Sequence, residues 1–158
     1  MKLIPATDAH FAWMLAGEGG FEGLNLPEGG VDRPGVLKYL RRVAEDLRTH
    51  HGPGSWLVVV DGTVAGLCGY KHGPSADGAV EIGYGIVAAR RGQGLATRAV
   101  AEILSLAAGD ARIHRLTAET AADNIASQRV LAANGFVQAG SRLDPEDGLL
   151  ILWQASLS

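Results

Sequence analysis

The sequence predicts an α/β fold built on one mixed, mostly antiparallel sheet of about seven strands, with about four helices. Segments with alternating apolar residues predict the strands, and segments whose apolar residues recur every three or four positions predict the helices. One helical segment joins two strand segments that must therefore be parallel. The chain has 158 residues, 47% of them hydrophobic and 20% charged. This length and composition suit a single domain, residues 1–158, around one core.

The predicted elements follow one another without repeats or interdomain linkers. In order, they are a strand at 3–7, helices at 8–16 and 34–50, strands at 55–60, 63–71 and 80–86, a helix at 95–107, a strand at 113–120, a helix from 123 or 124 to 134, and strands at 136–142 and 149–155.

The first third of the chain contains the signals for two helix starts. Thr7 or Asp8 caps the first helix through a side-chain oxygen, and Pro34 suits the first turn of the second. The intervening residues 17–30 are rich in glycine and carry three glutamates. Such a long loop is either a solvated surface segment or a functional one that attracts a cationic substrate.

The next segment predicts a β-hairpin followed by a third antiparallel strand. Asp61-Gly62 is a tight turn between two strand patterns. Cys68 falls inside the returning strand, where it is interpreted as a packed small residue rather than a nucleophile. The loop at 72–78 leads into the strand that begins near Val80.

The last third predicts a crossover and a closing hairpin. The strand at 113–120 follows a helix, which makes a parallel βαβ unit with the strand at 80–86. Asp123 or Asn124 opens the last helix, and Gly135 supplies its left-handed stop. The loop at 144–148 separates the final two strands.

A possible anion site lies between the strand at 80–86 and the helix at 95–107. The intervening Arg90-Arg91-Gly92-Gln93-Gly94 places two cations and two glycines at the start of a helix. A helix start has unpaired N–H groups and partial positive charge, and glycines let the backbone curl around an anion. The segment is interpreted as a phosphate or pyrophosphate cradle; the alternative is an ordinary strand-to-helix turn.

Two known phosphate cradles do not fit this segment. A dinucleotide fingerprint needs a third glycine where Thr97 stands and an acidic residue closing the next strand, which instead opens with His114-Arg115. A nucleotide-hydrolysing P-loop needs Gly-Lys-Ser/Thr, which is absent.

Composition argues against several other classes of protein. The formal charge of −3 and the pI near 5.9 argue against a nucleic-acid or anionic-membrane surface. No apolar run reaches membrane-spanning length, and the first residues do not read as a signal peptide, so the expected location is the cytoplasm. A single cysteine excludes an internal disulfide and a thiolate zinc cluster. His50-His51 could suggest a metal pair, but adjacent helical residues point about 100° apart, which favours two cations at a helix end instead. No metal is expected.

Two motifs resemble those of the GCN5-related N-acetyltransferases, the GNAT family. Arg91-Gly92-Gln93-Gly94-Leu95-Ala96 resembles the acetyl-coenzyme A signature of that family. Asn124-Ile125-Ala126-Ser127, followed by Asn134-Gly135-Phe136, resembles the branch that includes the ribosomal-protein N-terminal acetyltransferases. The family signature, Gln/Arg-x-x-Gly-x-Gly/Ala, starts at Ala89 if it ends at Gly94 and at Arg91 if it ends at Ala96. Either Arg90 or Arg91 therefore supplies the phosphate-binding cation.

The resemblance implies a central pair of parallel strands that splay apart, with acetyl-coenzyme A (acetyl-CoA) entering between them as cosubstrate. It further implies that the strand at 84–87 is bulged and that its backbone, chiefly at Ile86, pairs with the pantetheine arm. Asn124 would reach the pantetheine or an active-site water. The residues expected to bind the coenzyme are Ile86, Val87, Arg91, Gly92, Gln93, Gly94, Leu95, Ala96, Thr97 and Asn124.

For such a transfer, direct attack by the amine within a ternary complex is expected, because Cys68 gives no sign of an acetyl-cysteine route. The acceptor ammonium must lose a proton, and the departing sulfur benefits from a hydrogen-bond donor. Glu81 or Glu119 is the expected base, directly or through a water. Many relatives use a tyrosine seven positions after the asparagine, where this chain has Leu131, so Ser127 is assigned as the donor to sulfur.

The predicted function is therefore an acetyl-CoA-dependent N-acetyltransferase acting on a primary amine, either a protein N-terminus or a small amine. The alternative is a non-catalytic acyl-CoA-binding sensor or interaction module, and a third interpretation is a nucleotide-binding domain. The acceptor is expected to be recognised by the loops at 17–30, 72–78 and 144–148. The resemblance also makes a homodimer an expectation, because dimers are frequent in the family.

Overall fold

A seven-stranded mixed sheet in the order β1-β2-β3-β4-β5-β7-β6 organises the protein. The structure is a computed structural model, and it describes residues 1–157. Its elements are β1 (Lys2–Pro5), α1 (Asp8–Ala16), α2 (Pro34–His50), β2 (Ser55–Val60), β3 (Thr63–Tyr70), β4 (Ala79–Ile86), α3 (Leu95–Ala108), β5 (Arg115–Ala121), α4 (Ile125–Ala133), β6 (Val137–Asp144) and β7 (Gly148–Ser156). The predicted α/β class is confirmed, and the predicted elements agree with these bounds to within two residues at each end. A short 3₁₀ turn, Ala88–Arg90, was not predicted.

Local capping explains why several helix boundaries could be predicted. The Thr7 side chain accepts a hydrogen bond from the His10 N–H at the start of α1. Asn124 does the same for α4, because its Oδ1 accepts from the Ser127 N–H at 3.1 Å. Gly135, with φ at 81°, follows α4 in the left-handed conformation that ends a helix.

The two central parallel strands separate part-way along their length. Between β4 and β5 the paired residues run from Ala79 with Arg115 to Glu81 with Thr117, and no pair follows in the described residues. Strand β4 nevertheless continues to Ile86 and β5 to Ala121. The predicted splay is therefore confirmed, and it leaves one edge of β4 without a partner strand.

The expected bulge in β4 is wrong. Pairing between β3 and β4 runs in continuous register from Gly66 with Ile86 to Tyr70 with Ile82. The shift in register lies instead between β2 and β3, next to Val58 and Val59. Strand β4 needs no bulge to expose its backbone, because the loss of β5 as a neighbour already frees that edge.

Helices cover both faces of the sheet and bury two apolar clusters. Helices α3 and α4 enclose one cluster, which includes Ile82, Val100, Ile103, Leu116 and Leu131, and helices α1 and α2 enclose the other, which includes Phe11, Met14, Leu37, Leu57 and Val64. Along much of β4 and β5, buried residues alternate with less buried ones, because successive side chains of a strand point to opposite faces of the sheet.

Cys68 lies in the cluster under α3 and α4 and is only 5% exposed. Burial raises the pKa of its thiol to about 12. The interpretation of Cys68 as a packed residue is confirmed, because a thiol that stays protonated at neutral pH is a poor nucleophile.

Within residues 1–157, no helix has the length and apolar character needed to cross a bilayer. In the same range, no group of three or more His, Cys, Asp or Glu side chains is arranged to hold a metal ion.

Candidate functional site

The loop that leaves the splayed end of β4 turns through two glycines before α3 begins. Gly92 and Gly94 have φ values of 77° and 75°, in the left-handed region that glycine adopts without strain. A Cβ atom added at either position would meet no protein atom within 4 Å. The glycines are therefore required by the backbone turn and leave open space beside it.

Six consecutive backbone N–H groups at this loop lack a protein partner. In the described part of the chain, no acceptor lies within hydrogen-bonding distance of the N–H groups of Gly92, Gln93, Gly94, Leu95, Ala96 and Thr97. The first intrahelical bond of α3 is donated by Arg98 to the Gly94 carbonyl at 3.1 Å. Gly94, as N-cap, offers no side chain to satisfy these donors. The arrangement is that of an anion-binding helix start.

The two arginines beside the loop differ in their contacts. Arg91 donates through Nε to the Ile86 carbonyl at 3.0 Å, which folds its guanidinium back over the end of β4. Arg90 is half-buried, and its side chain makes no hydrogen bond or ion pair within residues 1–157. Both line the same cavity. Either guanidinium still has N–H donors to offer a phosphate, so the choice between them stays open.

The edge of β4 that faces the splay offers backbone donors near its end. Lys71 donates to the Glu81 carbonyl, and Val87 donates to the Ala65 carbonyl, so these β4 residues direct their polar groups towards β3. Because directions alternate along a strand, Ile86 points its N–H towards the splay. Val87 has its N–H engaged by Ala65 and its carbonyl accepting from Arg90. Of the two predicted strand contacts, Ile86 is the one with a free backbone donor.

The start of α4 brings Asn124 and Ser127 to the opposite side of the splay. The Asn124 side-chain oxygen is occupied as the helix cap, which leaves its amide N–H groups for another partner.

The Ser127 Oγ lies 2.7 Å from the Tyr84 hydroxyl, which also lies 3.3 Å from the Ser127 carbonyl. Tyr84 was not among the predicted site residues, because its only signal in the sequence is an aromatic residue between two glycines of a strand. Burial raises the pKa of Tyr84, and the hydrogen bond with Ser127 partly opposes that rise.

The two candidate bases lie on one face of the sheet, away from α3 and α4. Glu81 pairs in register with Thr117, and Glu119 follows two positions along β5 on the same face. The Lys71 ammonium lies 2.8 Å from the Glu81 Oε2. Glu119 faces Arg142, whose Nε and Nη2 lie 3.1 and 2.7 Å from its Oε2, with Nε also 3.3 Å from Oε1. Both carboxylates are therefore ion-paired, but only Glu81 keeps one oxygen without a protein contact in the described chain.

A cavity of about 1040 Å³ extends from α2 across β3 and β4 to the arginines. Its floor lacks side chains at Gly69, Gly83 and Gly85, and Leu67 lies beside them. The remaining walls are formed by the apolar side of α2 (Val36, Tyr39, Leu40 and Val43), by residues 27–34, and by residues 86–91.

Only part of the predicted acceptor loops borders this cavity. The stretch 27–30 of the loop at 17–30 lines it, whereas neither 72–78 nor 144–148 does. Glu28 and Asp32 add two acidic residues to its lining. An adjoining hollow shares both residues and adds Glu18. Helix α2 is the main wall that sequence reasoning did not assign to the site.

A splayed parallel pair, an anion-binding helix start and an open strand edge between them define an acyl-coenzyme A-binding protein. The chain belongs to the acetyltransferase (GNAT) domain family, which matches residues 6–137. The predicted family is thereby confirmed.

Among curated sequences, the chain is 26% identical over 104 residues to the uncharacterized N-acetyltransferase YjdG of Bacillus subtilis (strain 168). That match covers 65% of this chain and 62% of the relative, so it spans less than two thirds of the relative's length.

Solved structures show the same fold. A ribosomal-protein-S5-alanine acetyltransferase from Vibrio fischeri is 25% identical with a TM-score of 0.66, over 78% of this chain and 72% of the other. The ribosomal-protein-alanine N-acetyltransferase of Brucella melitensis is 21% identical with a TM-score of 0.72, over 99% and 100%. RimL, a ribosomal L7/L12 α-N-protein acetyltransferase solved with coenzyme A, is 17% identical with a TM-score of 0.73, over 98% and 93%. These neighbours are consistent with the predicted ribosomal-protein acetyltransferase branch.

Proposed function

We propose that this protein transfers an acetyl group from acetyl-CoA to a primary amine by direct attack in a ternary complex. The single observation that carries the proposal is the run of six unpartnered N–H groups, Gly92 to Thr97, at the mouth of the splay. Family membership and neighbours solved with coenzyme A support the same ligand.

The residues at the splay fit the parts of that cosubstrate. The amides of residues 92–97 hold the diphosphate, with Arg90 or Arg91 adding charge. The free N–H of Ile86 donates to the pantetheine arm or to the acetyl oxygen, and Asn124 offers its amide from the facing side. When bound, acetyl-CoA supplies an activated thioester. A backbone donor at the acetyl oxygen is the kind of group whose removal elsewhere costs roughly 3–4 kcal/mol of transition-state stabilisation.

Glu81 is the better base of the two candidates. Its free carboxylate oxygen can accept a proton directly or through a water, and Lys71, its partner, lines the cavity. Glu119 would have to give up hydrogen bonds to Arg142 on both oxygens. The pair Glu119–Arg142 instead joins β5 to β6 as a structural link.

Cavity shape and charge favour an amine carried on a partly apolar body. The α2 wall and the floor at Leu67 are apolar, while Glu28 and Asp32 in the lining attract a cation. Both a small amine and a peptide N-terminus satisfy this description, and the neighbours include enzymes of both kinds.

The test is a screen of amines and peptide N-termini with acetyl-CoA, following release of free coenzyme A. Turnover with at least one acceptor supports the enzyme. One observation supports the alternative of a non-catalytic acyl-CoA-binding module. Leu131, which is 0% exposed, stands where many relatives carry a tyrosine, so this position has no hydroxyl. Tight acetyl-CoA binding without turnover for any acceptor would favour that module, and comparable affinity for ATP or NAD would favour a nucleotide-binding domain.

We expect Ser127→Ala to lower kcat about 10- to 100-fold, the range for losing a hydrogen bond to a charged group. The physical reason is that Ser127 stabilises charge on the departing sulfur. Acetyl-CoA affinity, measured by calorimetry, should change less than about threefold, because the diphosphate contacts remain. Normal turnover would remove Ser127 from the mechanism.

Gly85 offers a graded test of the cavity floor. A Cβ at Gly85 would meet no protein atom within 4 Å, so Gly85→Ala, Gly85→Val and Gly85→Leu should fold and fill the cavity progressively. We expect kcat/KM for the bulkiest accepted amine to fall with each step, by about tenfold at valine, since roughly 1–3 kcal/mol is at stake per misfitted methylene. Equal kcat/KM across the series would show that acceptors bind elsewhere.

A further inference from the structure

The hydroxyl groups of Tyr84 and Ser127 form the one hydrogen bond between two side chains that links β4 to α4 within residues 1–157. Tyr84 lies three residues beyond the last β4–β5 pair, at Glu81, so the bond spans the gap that the two strands leave. Ser127 lies in the first turn of α4, on the far side. Both side chains are half-buried.

The geometry of this pair determines which hydroxyl can reach a ligand. The phenol has one proton, and two acceptors of Ser127 lie near it, Oγ at 2.7 Å and the carbonyl at 3.3 Å. When the phenol donates to the Ser127 Oγ, the nearer of the two acceptors, the serine proton is left to point away from Tyr84. The Ser127 N–H is already bound to Asn124 at 3.1 Å, which fixes the serine backbone as well.

We propose that Tyr84 is a positioning residue that holds the Ser127 hydroxyl towards the sulfur of the acyl donor. This inference rests on the coenzyme half of the proposed function. During transfer, the amine nitrogen bonds to the acetyl carbon as the carbon–sulfur bond breaks. The sulfur keeps that bond's electron pair and gains one proton, while the nitrogen loses one. The Ser127 hydroxyl donates a hydrogen bond to the sulfur as its charge develops.

Burial keeps the Tyr84 phenol protonated, so it can always donate a hydrogen bond to Ser127. Its pKa is raised by burial, with Ser127 acting in the opposite sense, so the phenol remains protonated at neutral pH. Leu131 cannot supply a hydroxyl, being a fully buried apolar residue of the same helix. The strand tyrosine and the helix serine together offer the donor that Leu131 lacks.

A binding experiment tests this inference without catalysis. Coenzyme A and desulfo-coenzyme A, which lacks the thiol, are titrated into the wild-type protein, Tyr84→Phe and Ser127→Ala by calorimetry. We expect the wild type to bind coenzyme A about fivefold more tightly than the desulfo analogue, the size of one net hydrogen bond. In both variants the ratio should fall below about twofold.

Kinetics give the second readout. Tyr84→Phe should lower kcat at least about tenfold with little change in the KM for acetyl-CoA, and the double variant should be no slower than Ser127→Ala alone, because the two residues act as one unit. Thr120→Val is the matched control. It removes a buried hydroxyl that accepts from Trp153 Nε1 at 2.9 Å, so it should lower Tm and leave the binding ratio unchanged.

The outcomes separate the two proposals. A wild-type protein that acetylates nothing, but shows a sulfur preference that Tyr84→Phe loses, refutes the proposed reaction and supports the role of Tyr84 at the sulfur. A Tyr84→Phe variant that folds and keeps both the wild-type ratio and the wild-type kcat overturns the inference and leaves the reaction intact. Absence of any sulfur preference in the wild type also overturns the inference.

Discussion

Gly94→Asp should abolish measurable acetyl-CoA binding while the protein stays folded. A Cβ at Gly94 projects into open space beside the unpartnered N–H groups, so the new carboxylate would occupy the place of the anion. Like charges about 4 Å apart repel by about 4 kcal/mol at an effective dielectric constant near 20. The expected loss of affinity is therefore at least about 100-fold, measured by calorimetry.

Gly94→Asn is the control for backbone strain. Asparagine has the shape of aspartate and tolerates the left-handed φ of 75° equally well, but it is neutral. We expect Gly94→Asn to weaken binding no more than about tenfold, and the gap between the variants to narrow as salt is raised. Equal affinities for the two variants would mean that the diphosphate binds away from this loop.

The second large effect is expected at Glu81. Gln has the size of Glu but cannot accept the proton that the acceptor ammonium must lose, so Glu81→Gln should lower kcat by roughly 100-fold or more. Acetyl-CoA affinity should be unchanged.

Glu119→Gln is the matched comparison, since it neutralises the other ion-paired carboxylate on the same face. We expect it to slow turnover less than about fivefold. It should also lower Tm, because Arg142 loses its main partner. The hydrogen bond to Glu119 is the chief cause of the raised pKa of Arg142. A larger kinetic loss in Glu119→Gln than in Glu81→Gln would reverse the assignment of the base.

Local chemistry explains why the order and bounds of the elements could be predicted. The caps at Thr7 and Asn124 and the left-handed stop at Gly135 act within a few residues of where they stand. The cradle could be predicted for the same reason, because the glycines and the start of α3 that form it are neighbours in the chain. Such features depend on adjacent residues and need no knowledge of the tertiary fold.

Contacts between distant segments could not be predicted. Tyr84 and Ser127 are 43 residues apart, and the sequence offers no signal that the splay brings their hydroxyls together. Sequence reasoning left the base open because the partners of Glu81 and Glu119, Lys71 and Arg142, follow from the register between strands. The expected bulge in β4 was wrong for a similar reason: the register with β3 is a property of the whole pair.

The placement of Cys68 under α3 and α4 has a practical consequence for the laboratory. A chromogenic disulfide reagent reacts with thiolates, and the sole sulfhydryl of this protein is both shielded and almost wholly protonated at working pH. The reagent would therefore report only the coenzyme A released in the reaction, without a background signal from the thiol of the enzyme. Stocks should also keep in air without reducing agents, since no accessible sulfhydryl is present to cross-link two molecules.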